Sequence, residues 1–192
     1  MRKAVTVRKT KETDIELTLD LDGKGVADIN TGIGFFDHML TALAVHGGLD
    51  LSVKCRGDLE VDGHHTVEDI GIAFGKALAQ ALGDKKGIER FACSYVPMDG
   101  ALARCVLDIS GRAYLRFEAP SLTGMTGGYD ASLTEEFFAA VCSNAFICAH
   151  IDELRGKNTH HVCEAVFKAF ARALKTAVAV TGGNIPSTKG SL

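Results

Sequence analysis

Residues 64–68 read His-His-Thr-Val-Glu, and residues 160–164 read His-His-Val-Cys-Glu. The two motifs are 96 residues apart, which is half of the 192-residue chain. Each opens a long stretch with helical periodicity, and a shorter helical stretch, 35–45 or 133–149, precedes it. The sequence therefore indicates an internal duplication, in which each unit is too small to bury its sheet alone and packs on the other.

Strands are predicted in a similar order in the two halves. Alternation of apolar and polar residues favours strands, first at 4–7, 15–21 and 49–55, then at 91–96, 101–109, 113–118 and 150–154. A hairpin turn is predicted at 22–25, a loop at 121–132, and long helices at 66–82 and 161–180. Gly71 and Gly75 are expected to be weak points of the first long helix.

These segments predict an α+β fold of two similar halves, each a small β-sheet with two helices packed on one face. The repeats cover about 1–90 and 91–185, and no Pro/Gly/Ser-rich linker separates them. We therefore expect residues 1–192 to form a single compact unit.

Composition excludes several classes of protein. Hydrophobic residues make up 46% of the chain and the net charge is −3, so neither a disordered protein nor a nucleic-acid or membrane-surface partner is expected. The longest apolar run, 137–149, is too short to span a bilayer, and the N-terminus lacks a secretory signal. We expect a cytoplasmic protein whose six cysteines, none in a C-x-x-C pair, are reduced.

The two histidine motifs have the spacing of metal ligands. Residues i and i+4 share one helix face, so His64 and Glu68 can hold one ion, and His160 and Glu164 another. The adjacent histidines, His65 and His161, point about 100° away from that face. This geometry suits two metal ions, each held by pieces of both motifs.

The shorter helices add one candidate ligand each. His38 lies 26 residues before the first motif, and Glu136 lies 24 residues before the second. The duplication thus predicts the sets His38/His64/His65/Glu68 and Glu136/His160/His161/Glu164. Alternatively, Glu136 is only a carboxylate favoured at a helix start. Imidazole and carboxylate without thiolate suit Mn²⁺, Fe²⁺, Co²⁺ or Ni²⁺.

Six motifs in this order resemble the imidazoleglycerol-phosphate dehydratase family: FFDHML, AVHGGLDL, DGHHTVEDIGIAFGKAL, VPMDGALARCVLDISGR, GKNTHHVCEAVFKAFARAL and PSTKG. The resemblance implies a lyase of histidine biosynthesis that dehydrates D-erythro-imidazole glycerol phosphate to imidazole acetol phosphate. It implies two Mn²⁺ per active site and an α+β fold of two similar halves. It also implies trimers that assemble into a twenty-four-subunit homo-oligomer with active sites between subunits.

The resemblance also assigns residues. Metal ligands fall on His38, His64, His65, Glu68, His160, His161 and Glu164, and on Glu136, where many members have His. Substrate contacts fall on Glu12, His46, Arg90, Arg112, Lys168, Ser187 and Lys189. Of these, Glu12, His46 and Lys168 are candidate catalytic residues, with Glu12 transferring the proton or a metal-bound hydroxide taking its place.

Simpler interpretations of the substrate contacts remain open. Arg90, Arg112 and Lys189 carry the charge that a phosphate dianion requires, but surface cations are common. Lys168 follows Glu164 by four residues, which is also the spacing of a helical ion pair. Two other functions are compatible with these residues. A di-metal hydrolase would release inorganic phosphate. A metal-storage or metal-sensing shell protein would not need the cations Arg90, Arg112 and Lys189.

Overall fold

The computed structural model describes residues 2–190 and residue 192. The strands are β1 (Lys3–Lys9), β2 (Thr13–Asp20), β3 (Ala27–Asn30), β4 (Asp50–Gly57), β5 (Phe91–Met98), β6 (Ala101–Asp108), β7 (Tyr114–Glu118), β8 (Met125–Thr126), β9 (Tyr129–Asp130) and β10 (Cys148–Arg155). The helices are α1 (Gly34–Gly47), α2 (His64–Leu82), α3 (Leu133–Ala145) and α4 (Thr159–Ala177).

Two four-stranded sheets share one topology. Their strand orders are β1-β2-β4-β3 and β5-β6-β10-β7. In each sheet the first two strands form an antiparallel hairpin, and the last pair, β3 with β4 or β7 with β10, is parallel. A parallel pair needs a crossover connection, which α1 provides in the first half and α3 in the second. The α+β fold of two similar halves is confirmed.

The helices of the two halves pack on each other as well as on their own sheets. In the first half α2 covers β1 and β2 while α1 covers β3 and β4; in the second, α4 covers β5, β6 and β10 while α3 contacts β7. Across the halves, α1 contacts α4 and α2 contacts α3. The buried Phe137 of α3 meets a phenylalanine from each of the other helices, at ring-centroid distances of 5.4 to 6.4 Å.

Gly71 and Gly75 allow this contact between α2 and α3. A Cβ at Gly71 would lie 2.7 Å from the Phe137 carbonyl oxygen, and one at Gly75 would lie 2.8 Å from the Val141 carbonyl oxygen. The helix runs unbroken through both positions, and these glycines let two helix backbones approach closely.

Three local predictions were wrong. The helix predicted over 133–149 ends at Ala145, because Phe146 adopts the left-handed conformation (φ 55°) and Cys148 begins β10. The turn at 22–25 closes no hairpin; β1 and β2 are joined at 10–12, and the chain continues instead to the unpredicted edge strand β3. The predicted loop at 121–132 contains the short β8–β9 ribbon.

Within the described part of the chain, no helix combines the length and apolar character that a membrane span requires.

Candidate metal and active site

Both His-His motifs occupy the first turn of a long helix. α2 begins at His64, and α4 begins one residue before His160, where the Asn158 side chain caps the helix by accepting a hydrogen bond from the His161 N–H. The two rings of each motif are almost perpendicular, at 89° in α2 and 87° in α4. The two imidazoles of each motif thus differ in orientation, and each lies beside a different carboxylate.

The most compact group of ligand atoms lies between α1 and α4. His160 Nε2 lies 3.3 Å from Glu164 Oε2, and His38 Nε2 lies 3.7 Å from the same oxygen. One ligand atom from each of the three residues lies within 4.8 Å of the others. We call these three residues the α1–α4 cluster. Two imidazoles and a carboxylate at these separations fit a divalent cation after small side-chain movements, since metal–ligand distances are about 2.0–2.2 Å.

Two cationic or titratable side chains extend this cluster. Lys168 Nζ lies 2.6 Å from Glu164 Oε1, and both side chains are mostly buried. Burial alone would raise the pKa of Glu164, but the hydrogen bond and charge of Lys168, with smaller effects of the nearby histidines, lower it. The pKa of His46 is lowered by burial and by the charges of Lys168 and Arg172, which favours the neutral imidazole.

A second, more open group lies on α2. His64 Nε2 lies 3.9 Å from Glu68 Oε2, and these side chains are 42% and 45% exposed. Glu136 is exposed in the first turn of α3, the helix that packs on α2. We call His64, Glu68 and Glu136 the α2–α3 set.

Glu136 and His38 occupy equivalent places in the duplicated fold. Each lies ten residues before the left-handed residue that ends its helix, Gly48 for α1 and Phe146 for α3. Because α3 packs on α2 as α1 packs on α4, the α2–α3 set is the counterpart of the α1–α4 cluster. The predicted grouping by halves was therefore wrong: His38 lies with ligands of the second half.

The second histidine of each motif meets a carboxylate on a hairpin turn. His65 Nδ1 lies 3.0 Å from Asp58 Oδ2, and its Nε2 lies 3.9 Å from Glu12 Oε1 in the β1–β2 turn. The hydrogen bond that His65 donates to Asp58 is the main reason that the pKa of His65 is raised. An imidazole that donates Nδ1–H to a carboxylate presents Nε2 as its free ligand nitrogen.

The second half has a similar but looser arrangement. His161 Nε2 lies 3.7 Å from Asp99 Oδ2 in the β5–β6 turn, and Asp99 is 75% exposed. Asp58 and Asp99 were missed in the sequence. The Asp-Gly turn of the β5–β6 hairpin was recognisable, and its equivalence to the turn that carries Glu12 was the available signal for Asp99.

The candidate phosphate contacts lie together, away from the α1–α4 cluster. The Arg90 side chain donates to the Pro186 carbonyl, next to Ser187 and three residues before Lys189, while the Arg90 carbonyl accepts from the Ile109 N–H, near Arg112. The Arg90 N–H donates to the Ala177 carbonyl at the end of α4. From Glu164 to Ala177 the helix rises about 20 Å. One chain therefore does not bring its own Arg90 to its own Glu164.

A cavity of about 650 Å³ opens beside His64. Asp62 and Asp130 contribute carboxylates to its lining, which includes no Lys or Arg among the described residues. Its charge does not suit a phosphate group.

Comparison with known proteins identifies the chain. The model of the family described as imidazoleglycerol-phosphate dehydratase matches residues 31–174. Two imidazoleglycerol-phosphate dehydratases, from Methanoculleus marisnigri and a Polaromonas species, are 57% and 55% identical over all of this chain and cover 100% and 94% of their own lengths. The crystal structure of the Staphylococcus aureus enzyme superposes with a TM-score of 0.84 at 45% identity, covering 93% of this chain and 99% of that one.

The duplicated fold and these matches define a hydro-lyase, an enzyme that removes water from its substrate. The chain belongs to the imidazoleglycerol-phosphate dehydratase family, which acts in histidine biosynthesis.

Proposed function

We propose that this chain dehydrates D-erythro-imidazole glycerol phosphate to imidazole acetol phosphate in a metal-dependent reaction, with two Mn²⁺ per active site. The observation that carries the metal dependence is the α1–α4 cluster, where two imidazoles converge on the buried carboxylate of Glu164. Its counterpart on α2 and α3 is the basis for a second ion. When bound, the ions would supply Lewis-acid stabilisation for charge that develops on the substrate's imidazole ring.

The chain's own residues would move the protons. Dehydration breaks the C–H bond of C2, the middle carbon of the glycerol chain, and the C–O bond of the carbon that bears the imidazole ring, releases water and leaves an enol, which tautomerises to the ketone. Glu12, which lies beside His65 and is half exposed, is the proposed acceptor of the C2 proton. Lys168, which pairs with Glu164, is the proposed donor of a proton to the departing oxygen, and His46, whose pKa is lowered by burial and by the charge of Lys168, is proposed to orient the hydroxyls.

We further propose that each active site is composite, with metal ligands and phosphate contacts supplied by different copies of the chain. A substrate whose imidazole ring and phosphate are joined by a three-carbon chain cannot reach from Glu164 to Arg90 when about 20 Å of helix α4 separates their positions. His65 and His161 lie beside hairpin carboxylates, outside the two ligand groups of their own chain, and are proposed to serve the ligand set of another copy. A homo-oligomer of twenty-four subunits built from trimers, located in the cytoplasm, stays a prediction.

The test is an assay with purified protein and imidazole glycerol phosphate that follows both the acetol product and inorganic phosphate. Activity should disappear when a chelator removes metal and return with Mn²⁺, without phosphate release. Full activity in protein shown by elemental analysis to be metal-free would contradict metal dependence. Phosphate release instead of the acetol product would favour the hydrolase alternative.

A pair of variants separates ligand loss from general damage. His160→Ala should abolish activity and lower bound metal, because it removes a member of the α1–α4 cluster. The control is His150→Ala, since His150 is an exposed histidine of β10 whose ring lies 5.5 Å from Tyr114. It should keep normal activity and metal content.

A further inference from the structure

Arg90 ties the C-terminal tail to the second sheet. Its Nη1 donates to the Pro186 carbonyl at 2.7 Å, while Nε and Nη2 donate to the two carboxylate oxygens of Asp108 at 2.7 and 3.3 Å. The Arg90 side chain is only 13% exposed. Asp108 therefore holds one edge of the guanidinium plane so that another N–H faces the tail.

The surroundings of Arg90 restrict it further. Its backbone is left-handed, with φ 73°, a conformation that a non-glycine residue keeps only when its neighbours impose it. The Arg90 N–H donates to Ala177, its carbonyl accepts from Ile109, and its guanidinium carbon lies 4.4 Å from the centre of the Phe91 ring. A long side chain that is normally mobile is thus fixed from several sides.

The tail carries two of the proposed phosphate contacts, Ser187 and Lys189, immediately after the Arg90–Pro186 hydrogen bond. Asn184 accepts a hydrogen bond from the Gly87 N–H, and Pro186 accepts from Arg90. From Ser187 to Gly190, the hydrogen bonds of the described residues are local to the tail, such as that from the Lys189 N–H to Ser187 Oγ at 3.2 Å. The position of Ser187 and Lys189 therefore depends on the anchorage at Pro186.

We propose that Asp108 is a positioning residue for phosphate recognition. It orients Arg90, and through the Arg90–Pro186 hydrogen bond it holds residues 186–190 where Ser187 and Lys189 meet the substrate phosphate. This inference rests on the proposed function, in which those residues contact the phosphate. An asparagine at this position has one oxygen instead of two and no charge, so it cannot hold the guanidinium by the same paired contact.

The experiment compares Asp108→Asn with a matched control on the same sheet. Asp152 makes a similar ion pair with Arg104, at 3.0 and 2.9 Å, without a contact to the tail, so Asp152→Asn tests loss of an ion pair alone. The first readout needs no substrate: intact-mass analysis of trypsin cleavage after Lys189. Asp108→Asn should be cleaved several-fold faster than the wild type, and Asp152→Asn at the wild-type rate.

The second readout is steady-state kinetics. Asp108→Asn should raise KM by about 10-fold with a small change in kcat, because the phosphate is a non-reacting group, and Asp108→Glu should restore much of the affinity. If Asp108→Asn does not fold, Arg90→Lys replaces it, since one ammonium cannot span Asp108 and Pro186. Equal cleavage in wild type and variant, or an unchanged KM, would overturn the proposal. Faster cleavage in a chain whose wild type lacks dehydratase activity would refute the proposed function alone.

Discussion

The α1–α4 cluster and the α2–α3 set are built on the same plan but differ in their surroundings. Glu164 is 9% exposed and pairs with Lys168, whereas Glu68 is 45% exposed and the residue four positions after it is Ile72. His46 likewise has Asn144 as its counterpart, because each lies two residues before the left-handed residue after its helix. The proposed ligand positions of the two sets are therefore equivalent, whereas Lys168 and His46 beside the α1–α4 cluster have no counterparts of the same residue type beside the α2–α3 set.

The largest effect should come from removing the buried carboxylate. Glu164→Gln should lower kcat/KM by about 10³-fold, since it removes several kcal/mol of electrostatic stabilisation and leaves Lys168 without its partner. Glu68→Gln should lower kcat/KM by a factor at least 10-fold smaller, because the Glu68 side chain is exposed and has no lysine partner. Equal losses of kcat/KM in the two variants, measured by steady-state kinetics, would contradict the difference between the α1–α4 cluster and the α2–α3 set.

Lys168→Met separates chemistry from metal binding. The variant should lose about 100-fold in kcat, the scale of a lost general acid or positioning group. It should bind Mn²⁺ more tightly, because an ammonium 2.6 Å from Glu164 repels a second cation. Calorimetric titration of the metal-free variant measures this, and weaker binding than in the wild type would show that Lys168 supports the site instead.

Glu136 tests whether the exposed set is a metal site at all. Glu136→Gln should lower metal affinity by about 10-fold or more, and Glu136→His should retain much of the activity. Metal titration of both variants decides between a ligand and the helix-start carboxylate considered above. An unchanged affinity in Glu136→Gln would favour the latter.

Asp58 should have a smaller effect through His65. Asp58→Asn should weaken metal binding by about 10-fold, the lower end for a residue that orients a ligand. Asp99→Asn is the comparison, and it should have less effect because Asp99 is mostly exposed and faces His161 from 3.7 Å. Nitrogen NMR of the metal-free protein should show His65 shifting from its Nδ1–H tautomer in Asp58→Asn only.

The sequence predicted the duplication, the four helices and the residue types of the site. Those features depend on local periodicity, as in the i, i+4 spacing of His160 and Glu164. It did not predict that His38 lies beside Glu164, because that contact depends on which helices pack across the halves. Nor did it predict Asp58 or the Arg90–Pro186 hydrogen bond, since each joins segments that no repeating pattern connects. Asp99 was missed although the duplication relates its turn to the one that carries Glu12.

The central claim is that each metal set takes ligands from both halves of the chain. Elemental analysis of bound Mn²⁺ in two double variants tests it most directly. His38→Ala with Glu164→Gln should lose one of the two ions, because both residues belong to the α1–α4 cluster. His38→Ala with Glu68→Gln should lose both. The opposite pattern, with both ions lost in the first pair and one kept in the second, would show that the ligands group by halves and contradict the account.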